Sequence, residues 1–179
     1  MKACITGHTS GIGLGLKTAF ESRGIETVGL SRSTGFDLVQ PGTIESMVAA
    51  SRGCQIFVNN AHQGYLQSRL LFALHAAHGA DDAFTMITIG SNSADGIKSH
   101  VHPYAIEKIA LDHAALQLQA NGRWRLIHIR PGWVDTPRVA SVNANKLAVQ
   151  DVVDAVLWAM DRPAGVLVRS ITLAPRSSG

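Results

Sequence analysis

Residues 1–17 read MKACITGHTSGIGLGLK, an apolar run followed at once by four glycines, Gly7, Gly11, Gly13 and Gly15. A glycine inside regular structure costs roughly 0.5–1 kcal/mol relative to alanine. A cluster this dense marks a point where the backbone turns sharply or comes close to another group. ACIT (3–6) reads as a strand and GIGLGLKTAFESRG (11–24) as a helix ending at Gly24, so the glycines stand at the first strand–helix junction. At such a junction, backbone N–H groups and the helix N-terminus can approach a pyrophosphate with no Cβ in the way. Thr6, Thr9 and Ser10 add hydroxyls nearby. The spacing is G-x-x-x-G-x-G, which differs from the commoner G-x-G-x-x-G fingerprint. As a bare pattern it fits a plain turn equally well, and its position is what points to a phosphate.

Outward from this junction, short apolar runs alternate with longer helical patterns. IETVGLS (25–31) reads as a strand, and FDL (36–38) as at best a very short one. PGTIESMVAASRG (41–53) is a helical stretch opened by Pro41, in the first turn where proline is tolerated. QIFVNNA (55–61) is a strand running into a polar loop, YLQSRLLFALHAAH (65–78) a helix and AFTMITIGS (83–91) a strand. YAIEKIALDHAALQLQA (104–120) is a long helix stopped by Asn121 and Gly122, and RWRLIHIRPGW (123–133) a strand cut off by proline. VQDVVDAVLWAMDRP (149–163) and GVLVRSITLAP (165–175) are a last helix and strand. This alternation indicates βαβ units and a parallel α/β sheet. QIFV and LIHI are apolar without alternation, as strands covered on both faces require.

The chain has 179 residues, 46% hydrophobic and 16% charged, with a formal net charge of +3. That length suits one domain, 1–179, with a sizeable core. Disorder is excluded by the apolar content. No basic run interleaved with aromatics appears, so nucleic acid is not an expected partner, whereas a phosphate-bearing small ligand suits the mild positive charge. Cys4 and Cys54 sit in or beside apolar runs without CxxC spacing, which reads as two buried reduced thiols and a cytoplasmic location. No signal peptide and no apolar stretch long enough for a membrane is visible.

Five segments together resemble the short-chain dehydrogenases/reductases. TGHTSGIG (6–13) is similar to that family's TGxxxGIG loop, and NNA (59–61) to the NNAG after its fourth strand. Ser91 closes ITIGS where the family places a serine, YAIEK (104–108) matches YxxxK, and RPGWVDT (130–136) resembles PGxxxT. The resemblance runs in order along nearly the whole chain. It implies a doubly wound Rossmann-type sheet of about seven strands, order 3-2-1-4-5-6-7, with helices on both faces. It also implies an NAD(P)-dependent oxidoreductase that moves a hydride between a nicotinamide and a carbonyl/alcohol pair. Ser91, Tyr104 and Lys108 are the catalytic residues it implies. A non-catalytic, dinucleotide-binding redox sensor is the alternative.

Tyr104 and Lys108 are four apart on a helix and share a face. A nearby ammonium favours the phenolate of a tyrosine that otherwise ionises near pH 10, so the residue can act as general acid or base. For the cofactor, the resemblance carries over Gly7, Thr9, Ser10, Gly11, Ile12 and Gly13 around the phosphates. It adds Asp37 and Leu38 at the adenine, Asn60 and Ala61 after the fourth strand, and Pro131, Gly132, Val134 and Thr136 near the nicotinamide, with Tyr104 and Lys108. Ser31, Arg32 and Ser33 end the second strand, where an acidic residue would bond a ribose 2′-OH. A guanidinium flanked by two hydroxyls suits a 2′-phosphate instead, so NADP(H) is expected over NAD(H).

Several features depart from the family pattern. The chain is short, and few residues lie between Thr136 and Val149 to cover a substrate. Residues 62–90 hold no asparagine for the family's proton relay, with Gln63 or Gln67 as possible substitutes. His62 stands where NNAG has glycine, which puts a side chain near the nicotinamide. His75, His78, His100 and His102 lack a carboxylate or cysteine cluster, and no metal site is expected. Lys98, His100, His102 and Trp133 are candidates for the substrate pocket border. Helices 65–78 and 104–120 are apolar around most of their circumference. The resemblance implies pairing through them into a homodimer or homotetramer.

Overall fold

The computed structural model describes residues 1–97 and 99–176. Six parallel strands form one sheet: β1 (Lys2–Thr6), β2 (Glu26–Leu30), β3 (Ile56–Asn59), β4 (Thr85–Ile89), β5 (Arg125–Pro131) and β6 (Ile171–Leu173), in the order β2-β1-β3-β4-β5-β6. Five helices connect them: α1 (Gly11–Ser22), α2 (Thr43–Ser51), α3 (Leu66–His78), α4 (Pro103–Asn121) and α5 (Val149–Met160).

Side-chain alternation along the central strands divides the core in two. Ala3, Ile5, Ile56, Val58, Ile87, Ile89, Ile127 and Ile129 pack with Leu16 and Phe20 of α1 and Val152 and Val156 of α5. The intervening Cys4, Phe57, Met86 and Leu126 pack with Leu70, Leu71 and Leu74 of α3 and Leu111 and Ala115 of α4. Successive strand residues face opposite sides, so a strand buried on both sides is apolar at every position, as IFV and LIHI nearly are. Cys4 and Cys54 lie in the second layer as free thiols, with Sγ atoms 3.3 Å apart.

The sheet has six strands rather than the expected seven. Phe36–Leu38 forms no strand, because local bonds hold it in a turn. Gly35 takes φ +86°, Asp37 Oδ1 accepts from the Val39 N–H, and the Asp37 carbonyl accepts from Thr43 Oγ1. Removing that outermost strand from 3-2-1-4-5-6-7 leaves the observed order. Pro41 precedes α2 rather than opening it, since Gly42 at φ +79° is the N-cap. The last strand covers only 171–173 of the expected 165–175. The carbonyls of Val168 and Arg169 accept from Gln119 Nε2 of α4 instead of from a strand, and Leu167 is exposed.

Among the described residues no helix is long and apolar enough to cross a membrane. On the outer faces of α3 and α4, Phe72 and Ile106 are 48% and 54% exposed.

Candidate active site

All six strands are parallel, so their carboxyl ends share one edge, where ligands of open α/β sheets bind. β1 ends there at Thr6, and Gly7 turns away at φ +68° with its N–H donating to the Leu30 carbonyl at 2.9 Å. Gly11 opens α1 at φ +53°. A Cβ on Gly13 would collide with the carbonyl oxygen of Gly7, and one on Gly11 would come within 2.9 Å of Thr136 Cγ2. Gly7, Gly11 and Gly13 are therefore required by close approach. The loop also brings Thr136 onto the helix start; Val134 is buried, and Gly132 lies against Asn92 and Pro175. Ser10 caps α1 without using its hydroxyl, Thr9 beside it is exposed, and no carboxylate lies in the first turn. Ile12 packs inward against the core. Unused N–H donors, free hydroxyls and the missing Cβ atoms fit a diphosphate. His8 adds a buried, unpartnered Nδ1 beside Gly29.

Asn60 clamps the ends of β1 and β3. Its Nδ2 donates to the Thr6 carbonyl at 3.0 Å, while Thr6 Oγ1 accepts from the N–H groups of Asn60 and Ala61. At the end of β2, Ser31, Arg32 and Ser33 enter a tight turn. Ser31 Oγ and Ser33 Oγ are 2.8 Å apart, and Arg32 is exposed. Asp37 and Leu38 follow in the turn that replaces the edge strand, with Leu38 packed against the core.

Ser91, Tyr104 and Lys108 come together at the end of β4. Ser91 is 7% exposed, extended, and accepts from the Ser93 N–H at 3.1 Å. α4 starts nearby because Pro103 suits its first turn and His102 caps it, His102 Nδ1 accepting from the Ala105 N–H. Ser91 is near enough to Tyr104 to favour its phenolate, and Lys108 Nζ is 5.5 Å from the Tyr104 ring centre. Lys108 is 3% exposed. Its ammonium donates to Gln67 Oε1 at 2.6 Å and to the Ile89 carbonyl at 3.0 Å.

The electrostatics differ from the sequence expectation. Burial pushes the Tyr104 phenol above its ordinary pKa, against the lowering effects of Ser91 and Arg138. Burial, and then the Arg138 guanidinium, bring Lys108 down to about 7, with Asp112 and Glu107 opposing. The amine that was expected to lower the tyrosine thus carries a heavy desolvation penalty of its own.

Of Gln63 and Gln67, it is Gln67 that contacts Lys108. It is buried, donates to the Asn59 and Ile89 carbonyls, and accepts from Lys108. Glu107 and Arg138 were not singled out in the sequence. Glu107 Oε2 lies 3.0 Å from His62 Nε2, and the His62 ring stands edge-to-face with Tyr104, centroids 4.8 Å apart. A second buried group also went unnoticed: Asp112 takes His128 Nε2 at 2.8 Å and Arg130 Nε at 2.8 Å. Arg130 also reaches Asp95 after the Ser91 turn and Thr172 of β6. Polar residues inside otherwise apolar runs, such as His128 in LIHI, are the signal that could have found it.

Of the proposed pocket border, His102 faces Tyr104 at 6.1 Å, His100 stands 5.4 Å from His102, and Trp133 is half exposed; Lys98 lies outside the described residues. His75 and His78 are packing residues, against Trp124 and Phe84 respectively. The cover after Thr136 is a short loop closed at its base, where Val134 bridges Leu147 and the Asp135 N–H donates to the Leu147 carbonyl.

This arrangement has the fold of the short-chain dehydrogenases/reductases. A 3-alpha-hydroxysteroid dehydrogenase from Pseudomonas sp. B-0831, solved with NADH, superposes with a TM-score of 0.79 at 21% identity, over 97% of this chain and 94% of that one. An alcohol dehydrogenase from the archaeon Thermococcus sibiricus, complexed with 5-hydroxy-NADP, gives 0.77 at 18% identity, over 96% and 95%. A 3-ketoacyl-(acyl-carrier-protein) reductase from Brucella melitensis, with NADH, gives 0.78 at 17%, over 97% and 95%. No protein-family model matches the sequence, and no curated protein does.

Proposed function

We propose that this protein is an NAD(P)-dependent oxidoreductase acting on a carbonyl/alcohol pair. The observation that carries the reading is the convergence of Ser91, Tyr104 and Lys108 beside a glycine turn suited to a diphosphate. Gly7, Ser10, Gly11, Gly13 and Thr136 would hold the dinucleotide, which supplies or takes the hydride when bound. Ser91 hydrogen-bonds the substrate oxygen. Tyr104 gives that oxygen a proton in reduction and takes one in oxidation. Lys108, where it is protonated, supplies a positive charge that lowers the cost of the phenolate. Solved relatives of the fold hold both NADH and NADP-type cofactors. For this chain, the Ser31–Arg32–Ser33 turn supports NADP(H). The exposed apolar residues of α3 and α4 support a homo-oligomer built on those helices.

The test is hydride exchange with a panel of aldehydes, ketones and alcohols in the presence of NADPH or NADH. Turnover that disappears in Tyr104→Phe while NADPH binding persists is the expected result. Arg32→Ala should weaken NADPH binding about tenfold or more and leave NADH binding unchanged, since a charge-assisted phosphate contact contributes roughly 1.5–3 kcal/mol. Absence of turnover in the wild type across the panel overturns the enzymatic reading.

A further inference from the structure

Tyr104 has two ionisable neighbours on opposite terms with solvent. Lys108 is sealed: it is 3% exposed, and two of its three N–H bonds are taken by Gln67 Oε1 and the Ile89 carbonyl. His62 and Glu107 lie at the boundary, with side chains 10% and 17% exposed. A phenol that exchanges a proton with each substrate must recover its starting state, and a sealed amine cannot pass protons to bulk water. The His62 ring stands at the boundary, edge-to-face with the phenol at 4.8 Å between centroids and fixed through Nε2 by Glu107.

We propose that His62 and Glu107 form the proton-exchange pair of this site, connecting Tyr104 to solvent. The proposal rests on the oxidoreductase reading above. In alcohol oxidation, Tyr104 has gained the substrate hydroxyl proton. Its O–H bond then breaks and an N–H bond forms on neutral His62 through a bridging water, which regenerates the phenolate. The imidazolium, stabilised by the Glu107 carboxylate, passes the proton to solvent. Reduction runs the same transfers backwards. No electrons move in these steps, and no further reagent is needed.

The groups facing His62 are Tyr104, Glu107 and Lys108 from α4, Gln67 from α3 and Arg138 from the turn after Thr136. Burial, then Lys108 and Arg138, hold the imidazole below the ordinary histidine range, while Glu107 and Gln67 pull it up. Neutral His62 is therefore the resting form at pH 7, ready to accept.

The decisive variant is His62→Gly, which removes the imidazole from the loop after β3. Its oxidation turnover should fall about 10²-fold, NADPH affinity should hold, and added free imidazole should restore activity in a dose-dependent way. The wild-type rate should show a rise with pH through the His62 ionisation below pH 6.5, and this limb should be missing from His62→Gly. A readout without cofactor comes from NMR titration of the His62 ring, whose midpoint should move to lower pH in Glu107→Gln. Wild-type turnover with an unaffected His62→Gly, or a loss that imidazole fails to rescue, overturns this pair and leaves the oxidoreductase reading intact. A wild type without turnover overturns both.

Discussion

Replacing Lys108 with methionine keeps an unbranched side chain of similar length and removes the charge. In the folded protein the amine titrates near 7, against an ordinary value of 10.5. The folded-state pKa is depressed, so between pH 7 and 10.5 the unfolded chain holds a proton that the folded chain has released. Stability must then rise with pH across that window, at up to about 1.4 kcal/mol per unit from this one group. Below about 7 both states are protonated and the full penalty of the buried ammonium is present. Integrated from pH 7 to pH 9, the wild type should gain about 2 kcal/mol from Lys108 alone. Lys108→Met also leaves Gln67 Oε1 and the Ile89 carbonyl without their donor, but that cost does not depend on pH and cancels from the slope. Urea unfolding of both proteins at intervals between pH 6.5 and 9.5 measures the difference directly. The variant's advantage should be greatest at the acid end and shrink steadily towards alkaline pH. A wild-type-minus-variant difference that stays constant from pH 7 to 9 would refute the reasoning, because it would mean the buried amine keeps an ordinary affinity for its proton.

Three further outcomes follow from the packing. Gly13→Ala drives a Cβ into the Gly7 carbonyl; it should cost about 1–3 kcal/mol of stability and weaken dinucleotide binding, read by thermal melts and by titration with NADPH. Arg130→Met leaves Asp112, 12% exposed, with only His128; the expected loss is about 3–5 kcal/mol, partly recovered in the Arg130→Met/Asp112→Asn double variant on the same melts. Cys4 and Cys54 are buried, and burial followed by the neighbouring thiol pushes the Cys4 pKa up; both should resist alkylation in the native protein and react fully in urea, as mass spectrometry would show.

Much of the fold was legible because its signals are local. The glycine turn, the run of five parallel core strands and the long helix of 103–121 each depend on patterns within a few residues. The edges were not legible. Phe36–Leu38 has the composition of a strand, but the Asx-type bond from Val39 to Asp37 and the left-handed Gly35 hold it as a turn. Residues 166–168 are apolar, but Gln119, about fifty positions earlier, takes the carbonyls of Val168 and Arg169 that a strand would use. The site divides in the same way. Ser91, Tyr104 and Lys108 could be named from spacing and resemblance, whereas nothing in the local pattern singles out Glu107. Its pairing with His62 depends on how the loop after β3 meets α4, and no periodicity encodes that. The direction of the Tyr104 shift was also out of reach, since burial is a property of the assembled core and outweighs the neighbours that spacing can identify.

The thinness of the sheet at its rims bears on how the site works. β6 has three residues and, among the described residues, no strand lies beyond β2, yet Gly7, Asn60, Ser91 and Pro131 all leave from or just after β1, β3, β4 and β5, the strands paired on both sides. These four residues therefore rest on the part of the sheet with the most hydrogen bonds, while Tyr104 and Lys108 come from α4. At the outer rim, the turn carrying Arg32 is braced from within: the Ser31 N–H donates to Thr34 Oγ1, and that hydroxyl donates to the Gly29 carbonyl. Internal bonds do there what a neighbouring strand would otherwise do, so a guanidinium can be presented at a fixed place without the seventh strand. The missing edge strand thus lies outside the strands from which Gly7, Asn60, Ser91 and Pro131 depart.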